Sequence, residues 1–183
     1  MDLFEALYTR RSIRAFTSDP VSEADITEVL RAAMAAPSAG NAQPWHFVVI
    51  EDRAVLEAIP DIHPHAAMCK TAPVSIAVVA ELALEKYPGF GYWTLDCSAA
   101  VENLLLAARG LGLGTVWCGI YPRPERMEGL AKLLHLPEGV TAHALVVMTR
   151  KPIPKNASNF YGSLMYVSHT RANAYGVRTV NMR

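Results

Sequence analysis

Residues 74–80 read VSIAVVA, an almost uninterrupted run of β-branched and small apolar side chains of strand length. A strand with one wet face alternates polar with apolar residues, so a run without that alternation is covered on both faces. Other elements must therefore lie above and below the sheet that contains it. WHFVVI at 45–50 has the same density and carries the same expectation, and AHALVVMT at 142–149 reads as another strong strand. GTVWCGIY at 114–121 is a fourth candidate.

The covering elements are written as helices. Leu95, Ala99, Val101, Leu104, Leu105 and Ala108 fall at helical spacing between about Trp93 and Leu111, which predicts a long, largely buried helix at the heart of the domain. Ser22, with Asp25 three residues on, caps a second helix whose stripe is Ile26, Val29, Leu30 and Ala33, and Pro37 with Gly40 stops it. DLFEALYTR predicts a short helix with Leu3, Phe4 and Leu7 on one face. RPERMEGLAKLLHL predicts an amphipathic helix with Met127, Leu130, Leu133 and Leu134 inward. Between the first two strands, Pro60 and Pro64 break one or two short helices. A chain of 183 residues, 51% hydrophobic, holds one domain with a substantial core. Sustained periodicity stops near residue 150, so we expect a single domain over 1–150 and an extension over 151–183 that packs on the domain or on a partner subunit.

Lys+Arg and Asp+Glu both number 17, so no overall field holds a nucleic acid or a membrane surface, and neither partner is expected. No apolar run approaches the roughly 18 to 20 residues of a membrane span, and the first twenty residues hold no signal-like run. The expected location is the cytoplasm. Cys69, Cys97 and Cys118 lie far apart without ligand spacing, so reduced thiols and no metal are expected.

Against this neutral background RRSIRAF at 10–16 gathers Arg10, Arg11 and Arg14 around Ser12. Guanidinium forks and a hydroxyl suit a phosphate, and Arg10 and Arg14 share a face if the first helix continues; a solvated basic patch at a helix end reads the same way. In PSAGNAQPWHF, small residues let a backbone approach a flat ligand. The amides of Asn41 and Gln43 match a heteroaromatic edge that alternates N–H and C=O, though a helix cap and turn use the same residues. The glycines of GLGLGTVWCGIYP follow a helix and precede a strand, the reverse of the dinucleotide fingerprint, so they end one element and start the next. Gly119 stands at the far end of that strand, where backbone N–H groups face a ligand, and Cys118 reads as a buried small hydrophobe. His46 reads as a core or edge histidine, and His63 and His65 flank Pro64 in a loop.

Taken in order, RRSIRAF, APSAGNAQPWHFVVI and GLGLGTVWCGIYP resemble the FMN-dependent nitroreductase family, over about residues 2–150. The resemblance implies an α+β fold, a three-layer sandwich with a central mixed, mainly antiparallel sheet flanked by helices. It also implies an intertwined homodimer with the flavins at the subunit interface. By the same resemblance Arg10, Arg11, Ser12 and Arg14 hold the phosphate, ribityl chain and pyrimidine edge of FMN. Pro37, Ser38, Ala39 and Asn41 come from the other subunit, Gln43 belongs to the flavin-edge region, and Cys118 and Gly119 lie near flavin N5. Relatives carry a lysine that reaches the flavin a few residues before the second strand, a point near which Lys70 and His65 stand, and a basic pair after the last strand, for which Arg150, Lys151 and Lys155 are candidates. The implied activity passes hydride equivalents from NAD(P)H through flavin N5 to a small flat acceptor (nitroaromatic, quinone or enone) by ping-pong. No side-chain acid or base is essential in it, and Arg14 and the Gly119 backbone are supporting. Two other readings stay open: a flavin oxidase or dehydrogenase acting on an organic substrate, and a non-catalytic FMN-binding protein whose ring is blocked by the aromatics of YPGFGYW at 87–93.

Overall fold

The computed structural model describes residues 1–150; the extension, with Lys151 and Lys155, lies outside the described residues. Its centre is β2 (Val74–Glu81), in which every residue from Val74 to Ala80 is buried. β2 pairs on one side with β1 (Trp45–Ile50) and on the other with β4 (Val140–Thr149), whose far side carries β3 (Gly114–Gly119). All neighbours in this order, β1-β2-β4-β3, run antiparallel. An isolated parallel bridge joins Ser12 to Thr115 on the outer edge of β3.

Successive β2 side chains point to opposite faces, and each face meets its own core. Val74, Ile76, Val78 and Ala80 pack against α2 (Glu23–Met34) and α4 (Tyr92–Gly110). Ala77 and Val79 pack with Leu56 and Ile59 of α3 (Arg53–Ile62), Cys69 of the 3-10 turn Pro64–Lys70, and Leu130 of α5 (Pro124–Leu133). Helices thus cover both faces, as the unbroken run of VSIAVVA requires.

Local sequence explains most boundaries. Ser22 Oγ accepts the Asp25 N–H at the start of α2, the expected cap. The GLGLG glycines close α4: Gly112 takes φ +76° and the Leu113 N–H returns to the Ala108 carbonyl at 2.9 Å, a Schellman ending. At the other end, Gly91 has no side chain to cap α4, and Glu85 supplies the acceptors instead. Its two oxygens take the N–H groups of Gly89 at 3.2 Å and Trp93 at 3.4 Å.

Four expectations need correction. WHFVVI is not covered on both faces: β1 is an edge strand, and His46 and Val49 are exposed. Leu95 lies on the outer side of α4 and is 65% exposed, because the helix turns its buried face through Cys97, Val101, Leu104 and Ala108. α3 continues through Pro60 to Ile62, since burying Leu56 and Ile59 outweighs the hydrogen bond that proline cannot make. The strand after GLGLG ends at Gly119 rather than Tyr121. The apolar face of α1 (Leu3–Thr9) also points outward, leaving Leu3, Phe4, Leu7 and Tyr8 exposed.

Candidate functional site

Among the described residues β3 pairs with β4 on one side, and its other side carries only the isolated bridge to Ser12. The Ile13 N–H donates to the Thr115 carbonyl at 2.9 Å, so the backbone groups of Thr115 face away from β4. Hydrogen-bonding direction alternates along a strand, which turns Trp117 and Gly119 toward the same free edge. A cavity of about 200 Å³ opens there. Residues 116–119 of β3 form one wall, and Arg14, His63, His65 and Arg126 form the others. Each of those four side chains is a nitrogen base or a cation. Among the described residues no carboxylate lines the cavity.

The donors are organised around one carbonyl. Arg126, in the first turn of α5, donates from Nη1 to the Gly119 oxygen at 2.9 Å, and the same nitrogen lies 3.1 Å from His63 Nε2. His63 Nδ1 accepts the His65 N–H at 3.2 Å, where His63 caps the 3-10 turn. Arg126 has only N–H donors, so its contact calls for an acceptor on Nε2, as the His65 N–H calls for one on Nδ1; a neutral imidazole, with one acceptor nitrogen, satisfies one of them at a time. Burial, and then the Arg126 charge, lower the His63 pKa; the hydrogen bond to the Gly119 backbone acts in the opposite direction. Cys118 is buried in the same wall, and burial pushes its thiol up to about 12 against the weaker pull of Arg14 and Arg126. It is a protonated packing residue rather than a nucleophile.

The structure brings Arg14, His65, Cys118 and Gly119 together in this cavity. The other arginines diverge from Arg14. α1 ends at Thr9 with Arg10 as its C-cap, so Arg10 and Arg14 do not share a helical face. Arg10 Nε lies 3.5 Å from Glu102 of α4, while Arg11 Nη1 turns back to the carbonyls of Tyr8 at 2.9 Å and Arg10 at 2.7 Å. Ser12 is exposed on the β3 edge, bridged to Thr115. Arg150 pairs with Asp25 at the start of α2, and Lys155 lies outside the described residues.

Pro37, Ser38, Ala39, Asn41 and Gln43 lead into β1, on the opposite edge of the sheet. Three strand spacings, roughly 14 Å, separate β1 from β3. The loop is tightly shaped. Asp96 of α4 accepts the Ala39 N–H at 2.8 Å, Ser38 Oγ accepts the Gln43 N–H at 3.0 Å, and Gln43 Nε2 donates to Asn41 Oδ1 at 3.3 Å. Gly40 has φ +55°, and a Cβ there would fall 2.7 Å from Lys86, so the bend needs glycine.

Sequence reasoning missed His63 and Arg126. His63 read as a loop residue, and Arg126 sat on a helix whose pattern identified only its buried stripe. Its place one turn beyond a strand end, where a long side chain reaches back over that end, was the available signal.

Residues 7–149 match the family model described as the nitroreductase family. The chain belongs to the nitroreductase family. A protein of Archaeoglobus fulgidus with the provisional name NADH dehydrogenase/NAD(P)H nitroreductase is 46% identical over 160 residues, covering 87% of this chain and 90% of its own. A crystal structure of a Parabacteroides distasonis protein, provisionally given the same name, matches this nitroreductase-family chain with a TM-score of 0.79 at 34% identity, covering 92% of this chain and 98% of the other. Another, a provisionally named nitroreductase of Desulfovibrio desulfuricans in complex with FMN, matches with a TM-score of 0.73 at 29% identity, over 84% and 88% of the two chains. Among the described residues no group of three or more His, Cys, Asp or Glu is placed to hold a metal, and no helix is long and apolar enough to cross a membrane.

Proposed function

We propose that this nitroreductase-family protein is an FMN-dependent oxidoreductase that takes reducing equivalents from NAD(P)H and delivers them to a small flat acceptor, a nitroaromatic, quinone or enone, one substrate after the other. The observation that carries this reading is the donor-lined cavity on the free edge of β3. Its cations and N–H groups, with no carboxylate among them, complement the carbonyls and ring nitrogens of an isoalloxazine. Gly119 supports the fit. A Cβ there would meet only the Tyr121 carbonyl at 4.0 Å, so the chain's own packing does not demand glycine, whereas close approach of a flat ring does.

FMN, when bound, supplies the two-electron chemistry at its N5. The chain's residues bind and orient. Arg14 would offer a fixed charge to the half of the ring that grows more negative on reduction, and Gly119 would offer a backbone N–H to the ring edge. Arg10, Arg11 and Ser12 form the phosphate end. Ser12 is bridged to Thr115, four residues before Gly119, so a ligand lying along this edge has roughly 13 Å of strand beneath it. His65 faces the cavity from the 3-10 turn and takes the place of the basic residue before β2. We assign Pro37, Ser38, Ala39, Asn41 and Gln43 to the flavin of the partner subunit in a homodimer. Their position on the far edge, and the exposed apolar face of α1, support that assignment.

Anaerobic titration of the FMN-reconstituted protein with NADH and with NADPH tests the reading. We expect bound flavin to lose its visible absorption with at least one nicotinamide, and steady-state double-reciprocal lines to run parallel. Flavin that binds but is reduced by neither nicotinamide favours the oxidase or non-catalytic alternatives. Failure to bind flavin rejects the cofactor assignment.

A further inference from the structure

Gly119 is the last residue of β3, and its carbonyl points away from β4, where among the described residues no ladder bond fixes it. A glycine at a strand end is also the residue with the widest backbone freedom. Left to itself, this peptide would rotate. Arg126 prevents that from outside the strand, reaching back from α5 over residues 120–123 to the Gly119 oxygen at 2.9 Å, with His63 Nε2 at 3.1 Å from the same guanidinium nitrogen. His63 is 3% exposed and is itself held by the His65 N–H, so the clamp is rigid on both sides. Among the described residues Arg126 forms no ion pair with a carboxylate. Its charge is directed at this carbonyl and the cavity beside it.

We propose that Arg126 is a positioning residue for the ligand-facing end of β3: it fixes the Gly119 peptide, and so the direction in which the strand's last backbone groups meet a bound ring, while adding positive charge to that side of the cavity. The proposal rests on the FMN reading above and deepens it. Arg126 acts through Gly119 and His63 rather than as an acid or a base. A guanidinium, with its planar fork, serves this role better than an ammonium, which brings charge without a fixed direction.

The test compares Arg126→Gln and Arg126→Lys with the wild type. In the FMN-loaded protein we expect Arg126→Gln to lower the midpoint potential of the flavin and to reduce kcat about ten- to a hundredfold with little change in KM for the nicotinamide, the signature of lost orientation. Arg126→Lys should restore the potential but not the full rate. In the cofactor-free protein, NMR titration of His63 provides a readout independent of activity. The charged groups facing His63 are Arg126 from α5, His65 from the 3-10 turn and Arg14 across the cavity, and Arg126 is the strongest of the charges lowering its pKa. Arg126→Gln should therefore raise the His63 pKa, and Arg126→Lys should leave it low. Unchanged potential and kcat in a flavin-loaded Arg126→Gln protein would overturn the proposal. If that variant does not fold, Arg126→Lys decides, since a wild-type rate would show that the fork is dispensable. Wild-type protein that takes up no FMN overturns the functional reading and this role with it, a result distinct from flavin-loaded variants that behave like the wild type.

Discussion

His143 shows how far one buried side chain departs from its ordinary chemistry. A bulge in β4 opposite Val78 and Val79 turns its ring toward α4, among Trp93, Trp117 and Tyr121, at centroid distances of 5.8, 5.9 and 6.0 Å. The Ser98 hydroxyl donates to the Thr94 carbonyl, so it receives His143 Nε2–H at 3.1 Å and leaves Nδ1 as a buried acceptor without a partner. Burial lowers the His143 pKa to about 4 from the usual 6.5. In that interval the unfolded chain holds the extra proton and the folded one does not, so stability falls as pH drops from about 6.5 and the loss is complete near pH 4. At about 1.4 kcal/mol per unit the penalty is on the order of 3 to 4 kcal/mol. Urea unfolding at a series of pH values should show this slope in the wild type and lose it in His143→Leu; an equal slope in both would refute the assignment. Little of this was legible. Sequence identified Arg14, Cys118 and Gly119 because a motif surrounds them, whereas His143 lies inside an apolar strand and His63 and Arg126 lie in segments that read as a loop and as a helix face. Their roles exist only where three elements meet.

Among the elements, those with an unambiguous period were read correctly. VSIAVVA had no polar face and proved central; the stripe of α2 and its Ser22 cap were visible, and α4 was misjudged only at Leu95. Edge position was not legible, because WHFVVI and VSIAVVA are both dense in apolar residues and differ in how many neighbours the topology gives them. The cap of α4 was equally hidden, since Glu85 acts from six residues before the N-cap, across a loop. Glu85 is 8% exposed and accepts two backbone N–H groups at the positive end of a nineteen-residue helix. Glu85→Ala should therefore cost about 1 to 2 kcal/mol, the upper range for a lost cap. Thermal unfolding checks it; a melting temperature equal to the wild type would mean that water replaces the carboxylate at no cost.

For the whole molecule, the three-layer arrangement matters because it leaves two sheet edges, each without a further strand among the described residues and with different furniture. The β3 edge carries the cavity and the RRSIR segment, and the β1 edge carries the PSAGN loop. One chain cannot bring the two motifs onto one ligand across the width of the sheet, yet the family resemblance assigns both to flavin. The homodimer proposed above, with each loop covering its partner's cavity, would reconcile them. The exposed Leu3, Phe4 and Tyr8 of α1 give such a dimer apolar surface to bury. The central claim remains the identity of the cavity. The most direct measurement is an equilibrium titration of FMN into wild-type protein and Arg14→Gln, with molar mass recorded in parallel. Loss of one charge-assisted contact of about 1.5 to 3 kcal/mol predicts affinity weakened roughly ten- to a hundredfold, with fold and mass unchanged. Wild-type FMN affinity in Arg14→Gln would place the flavin elsewhere and contradict the account.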